Sequence, residues 1–142
     1  MSPQYIEDVV EWNQFGDLEH FRYSILHIDE EQQRAELLFK FEPHKPIILH
    51  RHNSLNKLLV LKGEHHIYDA DGTLSEVRAT GSYTVAQPSD APHAECGGDG
   101  GAIILFSIFD NTSGGTLYDL MDPEQNIVGT LSMSDLVAIY TA

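Results

Sequence analysis

Short runs of β-branched and aromatic residues, separated by turn chemistry, recur along this chain and restrict its fold more than any other feature. Residues 21–28 read as a strand. Residues 34–42 read as another, with Ala35, Leu37, Phe39 and Phe41 on one face and Arg34, Glu36 and Lys40 on the other, as two-residue alternation demands. The segment from Pro43 to Pro46 breaks that strand, and 47–52 resumes it. Residues 58–61 run into Lys62-Gly63, which reads as a turn, with 64–68 as the hairpin partner. Asp71-Gly72 marks a further tight reversal. Residues 74–79 and 81–86 add two more strands, and the segment carrying His93 follows. Gly97-Gly98-Asp99-Gly100-Gly101 reads as a flexible turn, and 102–110 as the most hydrophobic strand. Eight or more strands at this spacing predict an all-β sandwich or barrel. At the ends, residues 5–12 suit either a strand or a short helix, and Ser132 is placed to cap a short C-terminal helix.

Length and composition fit one globular domain, 1–142, with a real core, since 42% of its 142 residues are hydrophobic. The longest apolar run, 102–106, is far short of a membrane span. The first eight residues lack the basic start and apolar centre of a secretory signal. A single cysteine, Cys96, excludes an internal disulfide framework and suits a reducing compartment, so a cytoplasmic location is expected. Eight Lys and Arg stand against 22 Asp and Glu, for a net charge of −14, which argues against nucleic acid and anionic membranes as partners.

His50 and His52 form a His-x-His pair, and on a strand both imidazoles point the same way. With His93 on a neighbouring strand they would make a facial set of three nitrogen ligands. Such a set suits one divalent ion (Fe, Zn, Ni, Mn or Cu) and leaves coordination positions open for water or substrate. Three imidazoles converging without a metal would be hard to satisfy, because each ring nitrogen needs a partner.

The spacing around these residues resembles the cupin superfamily in its small, single-domain, RmlC-like form. In the first cupin motif, His-x-His is followed by a Glu and then a Gly. Here His50-x-His52 leads to Asn56 and then Gly63, with Asn56 in the Glu slot. In the second motif Pro88 and His93 match in register, while Asp90 and Gly97 replace the pattern's Gly and Asn. Gly81 precedes Pro88 by one residue too many. The resemblance implies a double-stranded β-helix barrel with short terminal elements. It also implies a three-His site similar to acetylacetone dioxygenase-like and dihydroxyacetophenone dioxygenase-like cupins. The expected function is a mononuclear metal cupin acting on a small organic molecule, with an Fe²⁺-dependent dioxygenase-like oxidoreductase as the leading form. A metal-dependent isomerase or lyase is the second form. A non-catalytic metal or ligand sensor, similar to the zinc-binding cupin part of some anti-sigma factors, is the third, although no helical partner-binding module is attached. Cupins are commonly dimers, so a homodimer is expected, with 5–12 free to pair with a neighbour's sheet edge.

Other residues take lesser roles. Glu95 lies two residues after His93 and so faces the same cavity, where it could be a fourth ligand, an acceptor for a ligand His, or a general base. Asn56 could orient bound water or substrate. His65 and His66 are adjacent, so on a strand one faces inward and the other outward, but parity cannot be carried through the Gly63 turn to say which; an inward one could bind substrate, and a solvated pair is the preferred reading. His27 reads as packed or capping, His44 as exposed or structural, and Arg51 as a surface charge. Cys96 should point away from His93. Tyr68, Tyr83 and Phe106 are candidate cavity walls.

Overall fold

A computed structural model describes residues 6–142. Nine strands join into one antiparallel sheet that curls into a barrel-like fold, with a short helix at each end. β1 is Phe21–Asp29, β2 Arg34–Phe41, β3 Leu49–His52, β4 Leu55–Asp69, β5 Leu74–Arg78, β6 Tyr83–Ala86, β7 His93–Phe109, β8 Thr116–Met121 and β9 Ile127–Ser132. One path through the sheet runs β1-β2-β7-β3-β8-β9, and β4 adds to it by pairing with β7, β5 and β6. Among the described residues no helix is long and apolar enough to cross a membrane.

The expected alternation holds in β2, where Ala35, Leu37 and Phe41 are buried inward. They meet Leu58 and Val60 of β4 and Ile104, Phe106 and Ile108 of β7 in one apolar cluster. Each large aliphatic or aromatic side chain so buried contributes about 1.5–3 kcal/mol, which is what holds the curled sheet closed. The cluster is capped by α2, Met133–Tyr140, which buries Leu136. Ser132 starts this helix through a reciprocal capping box with Asp135, as its sequence position predicts.

Two expected turns do not form. Lys62-Gly63 lies inside β4, and 97–101 lies inside β7, so each strand is a single long element with a corner. Their mutual register shifts by one residue between Val60 and Lys62 and by three between Gly63 and His65, where β7 steps from Ala102 to Gly97, and such bulges bend a strand without ending it. Gly63 and Gly101 both adopt positive φ at this corner. A Cβ on Gly63 would lie 2.1 Å from the Gly101 carbonyl oxygen, so only glycine permits the crossing. The glycines that read as a turn therefore make a bend.

β8 and β9 had no counterpart in the sequence reading. At the other end, Ile6–Val9 is a helical turn, α1, not an edge strand. Trp12 Nε1 donates to the Glu7 carbonyl at 3.0 Å, and Lys40 sits over the Trp12 ring. Edge pairing by residues 6–12 with a second copy thus loses its basis, and Tyr5 lies outside the described residues.

Candidate metal centre

Past the Gly63–Gly101 corner, β7 exchanges β2 for β3 as its neighbour. His50 pairs directly with His93, and β3 is held on its other edge by β8, with His52 opposite Tyr118. Directly opposed residues share a face, so His50, His52 and His93 point into one interior. Glu95 joins them two residues along β7. One donor atom from each of these four side chains lies within 4.8 Å of every other, a grouping that could hold a metal ion.

The donor chemistry fits a cation. His50 Nδ1 donates to the Ile48 carbonyl at 2.8 Å, which leaves the Nε2 lone pair facing inward. That Nε2 is 2.9 Å from Glu95 Oε2, and His93 Nε2 is 3.2 Å from the same oxygen. With Nδ1 of His50 already donating, its Nε2 meets a carboxylate oxygen at this distance only across a proton or a metal. His52 is the clearest sign. It is buried, and neither ring nitrogen has a hydrogen-bond partner. A polar ring left so in a protein interior costs stability unless something else binds it.

Protonation follows the same logic. Burial pushes His52 well below the usual imidazole value, and the neighbouring His50 and His93 push it further, so it presents neutral nitrogens. Burial also acts to lower His50, but the hydrogen bond and charge of Glu95 outweigh it and the net shift is upward. For Glu95, burial alone would favour the neutral acid. Hydrogen bonds from His50, His65 and His93 reverse that and hold the carboxyl well below its ordinary range.

His65 was not expected here. It is buried, stacks on Phe41 at 5.6 Å, and places Nε2 2.8 Å from Glu95 Oε1, so Glu95 bridges it to His50 and His93. The bulge at Gly63 turns His65 inward and leaves His66 beside Glu64 on the outer face, which corrects the solvated-pair reading for His65. Tyr118 was missed altogether. Its ring lies 4.9 Å from that of His52, and its hydroxyl donates to Asn56 Oδ1. Asn56 is fully buried and its Nδ2 donates to the Ser54 carbonyl, so the residue in the Glu slot braces Tyr118 against His52.

The remaining candidates separate cleanly. Phe106 lines a small apolar cavity that reaches His50 and Glu95. Tyr83 is 61% exposed on the outer face and is not a wall. Tyr68 points away from the His group, with its hydroxyl 3.8 Å from the Cys96 thiol, and Cys96 faces away from His93 as expected. Arg51 is more than a surface charge, since its Nε donates to the buried Asp119 at 2.7 Å. His44 is exposed and pairs with Asp99, and His27 packs edge-on against Tyr140 of α2.

A second, more polar cavity of about 270 Å³ opens onto the group from the side of His52 and His93, lined also by His65, Ile67, Arg78 and Glu95. A barrel of this topology, with three imidazoles and a carboxylate converging from adjacent strands, defines a cupin. Residues 5–109 match the family described as ChrR cupin-like domain, and the chain belongs to that family. No curated protein matches it. Among solved structures it is similar to an RmlC-like cupin from Ralstonia eutropha JMP134, at 17% identity and TM-score 0.71, over 99% of this chain and 84% of the other. It is also similar to a candidate acetylacetone dioxygenase from Methylibium petroleiphilum PM1, at 17% identity and TM-score 0.68, over 100% and 96% of the two chains. An acetylacetone dioxygenase from Acinetobacter johnsonii aligns at 12% identity and TM-score 0.66, over 99% and 95%. At such identities these likenesses speak for the fold alone.

Proposed function

We propose that this protein is a mononuclear metal-dependent cupin that transforms a small organic molecule, and that its leading activity is that of an Fe²⁺-dependent, dioxygenase-like oxidoreductase. The observation that carries the reading is His52, an imidazole with two buried, unpartnered nitrogens among three other inward-facing donors. His50, His52 and His93 would hold the ion, and Glu95 would complete the set or take a proton from bound substrate. Bound iron would supply Lewis acidity and one-electron chemistry toward oxygen. The names of the Methylibium and Acinetobacter neighbours support the oxidative form.

The chain's own part is to position and to exclude water. Ile48 fixes the tautomer of His50, His65 orients Glu95, and Tyr118 packs against His52. Phe41, Phe106 and Leu37 line the apolar cavity on the far side of Glu95 and keep that side dry. The buried lone Cys96 suits a reducing compartment, and a cytoplasmic location is part of the proposal.

In a second form, Zn²⁺, Mn²⁺ or Ni²⁺ acts only as a Lewis acid for an isomerase or lyase, because three imidazoles and a carboxylate suit these metals as well as iron. Elemental analysis of protein purified without an affinity tag, followed by oxygen uptake with pentane-2,4-dione and with a hydroxyaryl ketone, separates the two. One metal per chain with oxygen consumption is the expected result. Product formation without oxygen moves the protein to the second form, and absence of bound metal after loading overturns both. Metal uptake should also weaken on acidification, as protons compete for the nitrogens, with His50, whose pKa is raised, lost to the proton before His52, whose pKa is depressed.

A further inference from the structure

Among the described residues lining the 270 Å³ cavity, the one arginine or lysine is Arg78, the last residue of β5. Its direction follows from register. Arg78 pairs directly with His65, whose side chain is buried inward against Glu95, so the guanidinium stem enters the same interior. The side chain is only 15% exposed. Nη2 donates at 2.8 Å to Glu76, two residues along the same face of β5 and half-exposed. Nε is buried and has no hydrogen-bond partner. A guanidinium donor left unpaired beside a cavity is poised for an acceptor that the protein itself does not provide.

We infer that Arg78 anchors an anionic group of the substrate, and that the substrate class is a small organic carboxylate spanning the cavity from Arg78 to the His group. The inference rests on the metal-site reading above, since the far end of the ligand would be held there. The charges around the cavity favour a monoanion over a phosphate. Glu76 already neutralises one nitrogen of Arg78, Glu95 stands at the inner wall, and Asp69 lies at the mouth. On a chain of net charge −14, a dianion would meet repulsion that one guanidinium does not offset. A carboxylate needs less, and it accepts from guanidinium nitrogens in the geometry arginine presents best.

The test uses the full chain loaded with Zn²⁺, so that binding is read without turnover. 3-Oxobutanoate and pentane-2,4-dione have similar size and share an oxo group, but only the first carries a carboxylate. Titration calorimetry should show wild-type protein binding 3-oxobutanoate the more tightly. Arg78→Gln should lower that affinity by tenfold or more and leave the dione unchanged, while Arg78→Lys should restore part of the loss. Circular dichroism melts of both variants establish that they fold. Equal affinity of wild type and Arg78→Gln for 3-oxobutanoate, or no binding of it by wild type, overturns the inference. Metal stoichiometry measured in the same samples keeps the two readings apart. Protein that takes up no metal yet binds 3-oxobutanoate through Arg78 breaks the metal reading only. Protein that binds metal and is indifferent to Arg78→Gln breaks this one only.

Discussion

On one side of the Gly63–Gly101 corner the β4–β7 ladder buries Leu58, Val60, Ile104 and Phe106, and on the other it buries His65, Ile67 and Glu95. Both arms are antiparallel and both alternate in and out. They differ in which neighbour closes them. The first arm is sealed by β2, a strand of apolar inward residues. The second is sealed by β3, where every second residue is an imidazole. One pair of strands thus serves a dry core and a polar site, and the two interiors meet where Tyr118 packs on His52 and Phe41 stacks on His65.

The largest expected effect comes from the corner itself. Gly63→Ala places a methyl against the Gly101 carbonyl at a positive φ, so both arms should fail together. A loss of about 4 kcal/mol or more in urea denaturation is expected, or no soluble folded protein. A mild effect would mean the arms are not coupled through the bend.

Phe106→Ala should divide them. It empties a buried ring from the apolar arm and should cost about 3–5 kcal/mol of unfolding free energy, yet metal stoichiometry should stay at that of wild type. Glu95→Gln is its counterpart. The amide still reaches His65 and the ligand group but carries no charge, so metal affinity should fall about 10–100-fold by calorimetry. Intact affinity in that variant would remove Glu95 from the ligand set.

The smallest effect concerns Asp119, which braces β3 from β8. Burial acts to raise its carboxyl, but hydrogen bonds from Asn53, Arg51 and Thr116 outweigh it and hold the pKa below the ordinary value. A depressed folded pKa gives stability that is complete above the unfolded value of about 3.9 and is lost as pH falls below it. Asp119→Asn should therefore cost about 1.5 kcal/mol near neutrality, with the difference from wild type shrinking below about pH 4. A gap that stays constant across that range would contradict the assignment.

Much of this was legible in the residues. Alternation in 34–41 gave the inward face of β2, and the two-residue spacing of His50 and His52 with Pro88 and His93 in register gave the three histidines that converge in the interior. Glu95 followed from parity along one strand. What could not be read has a common cause. A glycine at positive φ looks the same in sequence whether it reverses a chain or bulges it, so the Gly63 corner read as a hairpin. With parity lost there, His65 could not be assigned inward. Tyr118 sits in a stretch whose turn-like Ser113-Gly114-Gly115 and Asp122-Pro123 flanks mask a short strand. Its pairing opposite His52 is a matter of register, which no local pattern reveals.

β3 has only four residues, and two of them face the centre. So brief a strand has little cooperativity of its own and depends on β7 and β8 for its place. A cation shared between β3 and β7 would act as a clasp across their seam. Amide exchange at Leu49–His52 should then slow on metal loading far more than exchange in β2, so that the element carrying the ligands becomes rigid only in the act of using them.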